Sequence, residues 1–258
     1  MISTKADIHK GARIGKGTTV DSFSVIYEDV EIGNDCWIGP NVTIFPGSRI
    51  AENVSIYPGA VIGAISQDLK FKGDHSYVMI GSGTQIRECV TVNRATEKDK
   101  ATTIGENCLI MAYAHIAHEC SIGNHCILAN QATLAGHVTI EEWAILEGLV
   151  AVQQFVRIGK HAFIAGASLV RKNVPPYVKA AREPLSYVGA NTIGLQRRGF
   201  NQDNIQAIDS IYNLLFIQNH NVGKALEQIE QEIPDSKSKN EILEFVRSSQ
   251  KGIIRGLQ

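Results

Sequence analysis

A prism of short parallel strands, wound in coils of eighteen residues and covered at one end by a few helices, is the fold that this 258-residue sequence predicts. Three observations carry that reading: an aliphatic residue at every sixth position, a small residue two places before it, and a change to helical spacing near the C-terminus. Counting by six from Ile2 to Val170 gives 29 positions, and 26 of them are Ile, Leu or Val. Those three types make up 65 of 258 residues, so chance would fill roughly seven of the 29. A period of six is a multiple of two and not of 3.6, which suits strands with the periodic side chain turned inward and defeats helices.

The residue two before each periodic aliphatic is small or β-branched, as at Thr18, Ser24, Cys36, Ser48, Ala60, Thr84, Cys108, Ala114 and Cys120, and glycine often follows the aliphatic, as at Gly15, Gly33, Gly81, Gly105 and Gly123. Small residues and glycines are expected to turn the corners between strands. Three strands close one triangular coil, and stacked coils bury a continuous aliphatic column. The period breaks only at Asp68, Asp74 and Lys98. A charge on the column would be costly, so residues 64–79 and 95–102 should leave it as loops, which are common places for ligand contacts. The pattern stops at Val170. After Pro175 and Pro176, apolar residues recur at helical spacing from Ile205 through Val246, so the chain divides into a β-domain over 1–176 and a helical domain over 177–258 that covers the open end.

Composition excludes more than it assigns. A net charge of −1 and 44% hydrophobic residues are ordinary for a soluble protein. The sequence has neither an apolar run long enough for a membrane span nor the apolar core of a signal peptide at MISTKADIHK, so a cytoplasmic protein without stable membrane insertion is expected. Four of the five cysteines (Cys36, Cys108, Cys120, Cys126) occupy the small position and read as compact filler rather than disulfides or metal ligands. Residues 157–198 carry Arg157, Lys160, Arg171, Lys172, Lys179, Arg182, Arg197 and Arg198 against Glu183 alone, a patch suited to an acidic or phosphate-bearing partner. Nucleic acid fits poorly, because the helical remainder of the chain is net acidic. Gly11 to Lys16 is one residue short of a phosphate-binding loop and lacks its Ser or Thr.

The stretch that can do chemistry is HIAHEC at 115–120, followed one coil later by Gly136-His137. Eighteen-residue coils stack His118, Gly136 and Gln154 in one file and Glu119, His137 and Phe155 in the next, with rungs ~4.8 Å apart. His118 lies two after Ile116 and should point outward. Its imidazole can take a proton from a hydroxyl, Glu119 can orient it, and the Gly136 N–H can receive an oxyanion. No serine or cysteine stands beside His118 as a nucleophile, which favours direct attack by a substrate hydroxyl. A zinc site from His115, His118, His125 and His137 is the competing arrangement, but His125 falls on another edge of the coil, so no metal is expected.

HIAHEC, ILANQATLAGHV at 127–138, NVPPYV at 173–178 and GLQRRGF at 194–200 together resemble the acyl-ACP:UDP-N-acetylglucosamine O-acyltransferase family of lipid A biosynthesis, over essentially the whole chain. The resemblance implies a left-handed parallel β-helix of hexapeptide repeats, all-β plus small α, in a homotrimer with sites between subunits. It implies transfer of an (R)-3-hydroxyacyl group from acyl carrier protein, with no bound cofactor beyond the donor's phosphopantetheine, to the sugar 3-hydroxyl. By motif His118 is the general base and Gly136 the oxyanion donor; Gln67, Asp68 and Lys70 contact substrate; His115, His137 and Gln154 line the cleft; Asn191, Arg197 and Arg198 face the nucleotide and phosphopantetheine. Gly166, with Gly148 one coil below, matches a chain-length ruler and implies a long acyl chain, while Gln153 stands where many members have histidine. A 3-amino sugar acceptor, a zinc enzyme of the same repeat, and a binding scaffold remain as alternatives.

Overall fold

In the computed structural model, which describes residues 1–219 and 221–256, short parallel strands assemble into three sheets of nine, eight and ten strands. Successive strands step from sheet to sheet, so each sheet is one face of a triangular prism. Face 1 contains His115–Ile116, Thr133–Leu134 and Ala151–Val152; face 2 contains Ser121–Ile122 and Thr139–Ile140; face 3 contains Ile127–Leu128 and Ile145–Leu146. Pairing is in register at eighteen residues, as in Ile116 with Leu134 and Leu134 with Val152. The periodic aliphatics form the column: Ile116, Leu128, Leu134 and Leu146 are fully buried, and only Ile2, Ile8 and Ile14, at the open N-terminal end, are partly uncovered.

The corners differ from expectation. Left-handed backbone falls three residues after most of the periodic aliphatics, and its occupants are mostly not glycine: Asp29, Asp35, Asn41, Asn53, Asn107, Glu119, His125, His137, Trp143 and Phe155 all have φ between 52° and 66°. Asn and Asp tolerate this region through local hydrogen bonding; the others are held there by the coil above and below. The glycines just after the aliphatics serve a different need. A Cβ on Gly123 would lie 2.6 Å from the Glu142 nitrogen of the next coil, and one on Gly33 would lie 2.6 Å from Ala51 and Glu52 backbone. They are required by close coil stacking, not by φ. The small residues two before the aliphatic, Cys36, Ala60, Cys108, Ala114, Cys120 and Cys126 among them, point inward and are buried. All five cysteines are free thiols, and burial pushes Cys120 up to about 12.

Two coils are enlarged. Val61 pairs with Thr91, thirty residues on, and Tyr77 pairs with Ala101, twenty-four on, so the inserts add twelve and six residues to the ordinary coil. Each insert is a whole number of hexads, which is why the aliphatic period resumes in phase at Ile80 and Ile104. The loops proper run over 65–76 and 94–100, because Tyr77–Ile80 and Ala101–Ile104 are already strand. Both leave the prism between face 1 and face 2, at the same corner.

Strands continue after Pro176. A hairpin of Val178–Ala181 and Ser186–Ala190 extends face 3, and four helices follow: α1 (Thr192–Arg197), α2 (Gln202–Asn213) continued by a π-helical turn (Leu214–Gln218), α3 (Val222–Glu232) and α4 (Lys237–Arg247). Each helix has a side-chain N-cap, from Asn191, Asn201, Asn221 and Ser236. Tyr212 Oη donates to Pro176 O at 2.5 Å and Lys160 Nζ to Glu241 at 2.9 Å, fastening the helices to the prism. The buried Lys239 ammonium is satisfied by Ile233 O, Glu230 O and Asp235. None of the described helices is long and apolar enough to cross a membrane. Leu128→Ala, which empties a fully buried rung of the column, should lower the unfolding free energy by about 2–5 kcal/mol in denaturant titration. Gly123→Ala should also destabilise, through the collision with the Glu142 backbone.

Candidate functional site

Three files of left-handed corner residues run up the prism. The first holds Glu119, His137 and Phe155; the second, His125, Trp143 and His161; the third, Tyr113, Gln131, Leu149 and Ala167. In the first, His137 N–H donates to His118 O at 2.9 Å and Phe155 N–H to Gly136 O at 3.2 Å, fixing His118, Gly136 and Gln154 in vertical succession as expected. This is the corner from which both loops leave.

The His118 ring is buried and makes three defined contacts. Nδ1 lies 2.5 Å from Glu119 Oε2, Nε2 lies 3.8 Å from Asp68 Oδ2 of the first loop, and the ring meets that of His137 edge-on with centroids 5.2 Å apart. A methyl group on Gly136 would overlap the His118 ring, so glycine is required there by close approach. The N–H groups of Ala135 and His137 donate to Val152 O and His118 O, while that of Gly136 has no backbone acceptor among the described residues. Glu119 is held from the other side: Oε1 accepts from the Thr96 N–H at 2.5 Å, the Thr96 hydroxyl at 2.8 Å and the Glu97 N–H at 3.1 Å. Burial raises the Glu119 carboxyl, but the hydrogen bonds from Thr96, His118 and Glu97 outweigh it and hold the pKa below the ordinary carboxylate value.

The remaining expected residues are distributed over the prism. Asp68 is ordered by an Asx-type turn, accepting from the Lys70 N–H at 2.9 Å, while the Gln67 and Lys70 side chains are exposed. His115 lies on face 1 with Nδ1 2.7 Å from the Thr91 hydroxyl, and burial lowers its pKa. Gly166 sits at the third corner, its N–H donating to Glu147 at 3.0 Å, with Gly148 directly below. Asn191 and Arg198 are at the second corner, where Asn191 donates to His161 O at 2.9 Å and Arg198 lies 3.2 Å from His161 Nδ1 and over Trp143; Arg197 is exposed on α1. Within one chain, therefore, His118, Glu119, Gly136, His137, Asp68 and Gln154 share an edge, and Gly166, Asn191, Arg197 and Arg198 do not join them.

Two features were not anticipated from sequence. The cradle from Thr96 and Glu97 has as its only signal the charge at Lys98, which marks a loop without saying where it lands. Lys251, from the chain's far end, donates to Gln154 O at 2.7 Å and lies over the Phe155 ring. The basic count over 157–198 also needs correction. Arg157, Lys160 and Arg171 are paired with Glu141, Glu241 and Glu183, so among the described residues only Lys172, Lys179, Arg182, Arg197 and Arg198 of that set lack an ion-pair partner. His118, Glu119 and His137 bring ligand-type atoms within 4.8 Å of one another, but both Glu119 oxygens are already engaged, and His125 is stacked on Trp143 at the second corner.

Hexapeptide coils with a histidine–carboxylate pair at one corner define a transferase of the hexapeptide-repeat class. The model of the bacterial hexapeptide transferase repeat matches residues 11–46, 29–64 and 101–136, and that of UDP-N-acetylglucosamine O-acyltransferase domain 2 matches 173–254. The acyl-ACP–UDP-N-acetylglucosamine O-acyltransferase of Xanthomonas campestris is 37% identical over 99% of this chain and 98% of its own. That of Synechocystis is 42% identical over 66% of this chain, a match spanning 62% of the relative's length. A UDP-N-acetylglucosamine acyltransferase structure from Bacteroides fragilis superposes with a TM-score of 0.95 at 41% identity, covering 99% of this chain and all of the other. The chain belongs to the acyl-ACP–UDP-N-acetylglucosamine O-acyltransferase family, and its fold is the left-handed parallel β-helix.

At the second corner, burial first and then the charges of Arg198 and Lys160 hold His161 down to about 4. Its unfolded pKa is ~6.5, so over that interval the unfolded chain binds a proton that the folded chain does not, and stability present above pH 6.5 is lost as pH falls towards 4. Denaturant titrations should show this decline, and His161→Asn should make it shallower; parallel profiles for the two proteins would exclude the assignment.

Proposed function

We infer that this protein transfers an (R)-3-hydroxyacyl group from acyl carrier protein to the 3-hydroxyl of UDP-N-acetylglucosamine, the first step of lipid A biosynthesis. The observation that carries the reading is the His118–Glu119 pair beneath Gly136, in a chain of this family. Glu119 accepts the Nδ1 proton of His118 and leaves Nε2 basic, facing the side where Asp68 closes the edge. Nε2 removes the proton of the sugar hydroxyl as its oxygen attacks the thioester carbonyl. The carbonyl oxygen becomes the oxyanion, for which the Gly136 N–H is the donor at hand. Collapse breaks the carbon–sulfur bond, and the imidazolium returns its proton to the phosphopantetheine thiolate. The chemistry uses no metal and no cofactor of the protein's own.

Asp68, with Gln67 and Lys70 beside it, is assigned to the sugar nucleotide, and His115, His137 and Gln154 to the cleft. Asn191, Arg197 and Arg198 lie on a different corner from His118, so we assign their contacts with nucleotide and phosphopantetheine to a homotrimer in which neighbouring copies complete each site. The residual positive charge at Lys172, Lys179, Arg182, Arg197 and Arg198 suits the acidic acyl carrier protein. We assign the enzyme to the cytoplasm together with these two substrates. At Gly166 a Cβ would come within 3.3 Å of Gly148 O, so bulk there narrows the groove assigned to the acyl chain.

Mixing the protein with UDP-N-acetylglucosamine and a pool of hydroxyacyl carrier proteins should give an acylated sugar nucleotide by mass spectrometry, with long chains preferred; a binding scaffold would give none. His118→Ala should keep its fold and lose activity by ~10²–10⁴-fold. Faster turnover of the 3-amino analogue than of UDP-N-acetylglucosamine would assign the amino-sugar reaction instead.

A further inference from the structure

Glu119 is anchored by the second loop rather than by its own coil. Three donors converge on Oε1, the Thr96 N–H, the Thr96 hydroxyl and the Glu97 N–H, and leave Oε2 for the His118 ring. The loop is itself fixed. Arg94 N–H donates to Ala64 O at 3.0 Å, Ser76 Oγ to Ala95 O at 2.5 Å, and Asp99 N–H to His75 O at 2.9 Å, so the segment carrying Thr96 is tied to the first loop and its strands on both sides. Ala95 is fully buried.

We propose that Thr96 is a positioning residue for acyl transfer: its hydroxyl and N–H clamp the Glu119 carboxylate, which thereby holds the proton of His118 on Nδ1 and presents Nε2 as the base. The proposal rests on His118 being that base. A neutral imidazole has two tautomers of similar energy, and a fixed acceptor at Nδ1 selects one of them. A glutamate restrained only by its own torsions selects it poorly, because two rotatable bonds separate its carboxylate from Cβ. Thr96 converts that flexible group into a fixed one. This gives the six-residue insert a task in the reaction without contact with substrate.

Thr96→Val keeps the side-chain shape and the N–H and removes the hydroxyl donor. Losing a hydrogen bond to a charged group should reduce kcat by roughly tenfold or more, with KM for UDP-N-acetylglucosamine within about twofold of wild type. Thr96→Ser should restore kcat to within about threefold, because the donor is back. In a Glu119→Ala background the Thr96→Val change should cost nothing further. Nitrogen-15 shifts of the His118 ring should report a single Nδ1–H tautomer in wild type and a mixture in Thr96→Val, a readout independent of turnover. Wild-type kcat in Thr96→Val, an equal loss with Glu119 absent, or an unchanged tautomer would overturn the proposal. A wild-type protein that never acylates the sugar would instead sink the acyl-transfer reading, and this role with it.

Discussion

The whole molecule depends on one repeated constraint, the hydrogen-bonded register that places each residue above the one eighteen earlier. Every rung of the aliphatic column, every left-handed corner and every outward file follows from it. Without that register the non-glycine corners would be costly, since side chains such as Trp143 and Phe155 rarely adopt positive φ. With it, most corners are locked by N–H groups donating to the coil below, as at His137 and Phe155. The register also dictates the glycines at Gly33 and Gly123, where the neighbouring coil passes too close for a Cβ.

The same stacking builds the site. His118 is poised because Glu119 occupies a corner, Gly136 lies one rung above, and two inserts of whole hexads leave the coil at that corner without disturbing the phase above them. The rigid column supplies the histidine and the main-chain amide; the loops supply the groups that tune them, Asp68 on one side and the Thr96–Glu97 cradle on the other. Burial works against the Glu119 carboxylate, and the hydrogen bonds of the cradle keep it ionised. An ionised carboxylate beside Nδ1 is what the proposed base requires.

Charge illustrates the limits of counting along a chain. The basic run over 157–198 loses three of its members to carboxylates, two of which, Glu141 and Glu241, lie outside it. The Glu241 carboxylate on α4 meets Lys160 and Tyr177, so part of the charge that looks available for a partner holds the helical end onto the prism. Glu141 reaches Arg157 from the coil below.

By itself the sequence determined the period and therefore the column, the inward and outward alternation, the vertical partners of His118 and the positions where loops must leave. These are arithmetic consequences of a six-residue repeat, because a strand has only two faces and a coil only three sides. It also determined the family, through motifs longer than the repeat. Tertiary structure alone decided that Thr96 and Glu97 turn back onto Glu119, that Lys251 arrives at Gln154 from the other end of the chain, and that Asn191 and Arg198 stand on a corner away from His118. Loop paths and long-range ion pairs have no period, and their contacts are set by geometry between segments distant in sequence, so no local pattern could announce them.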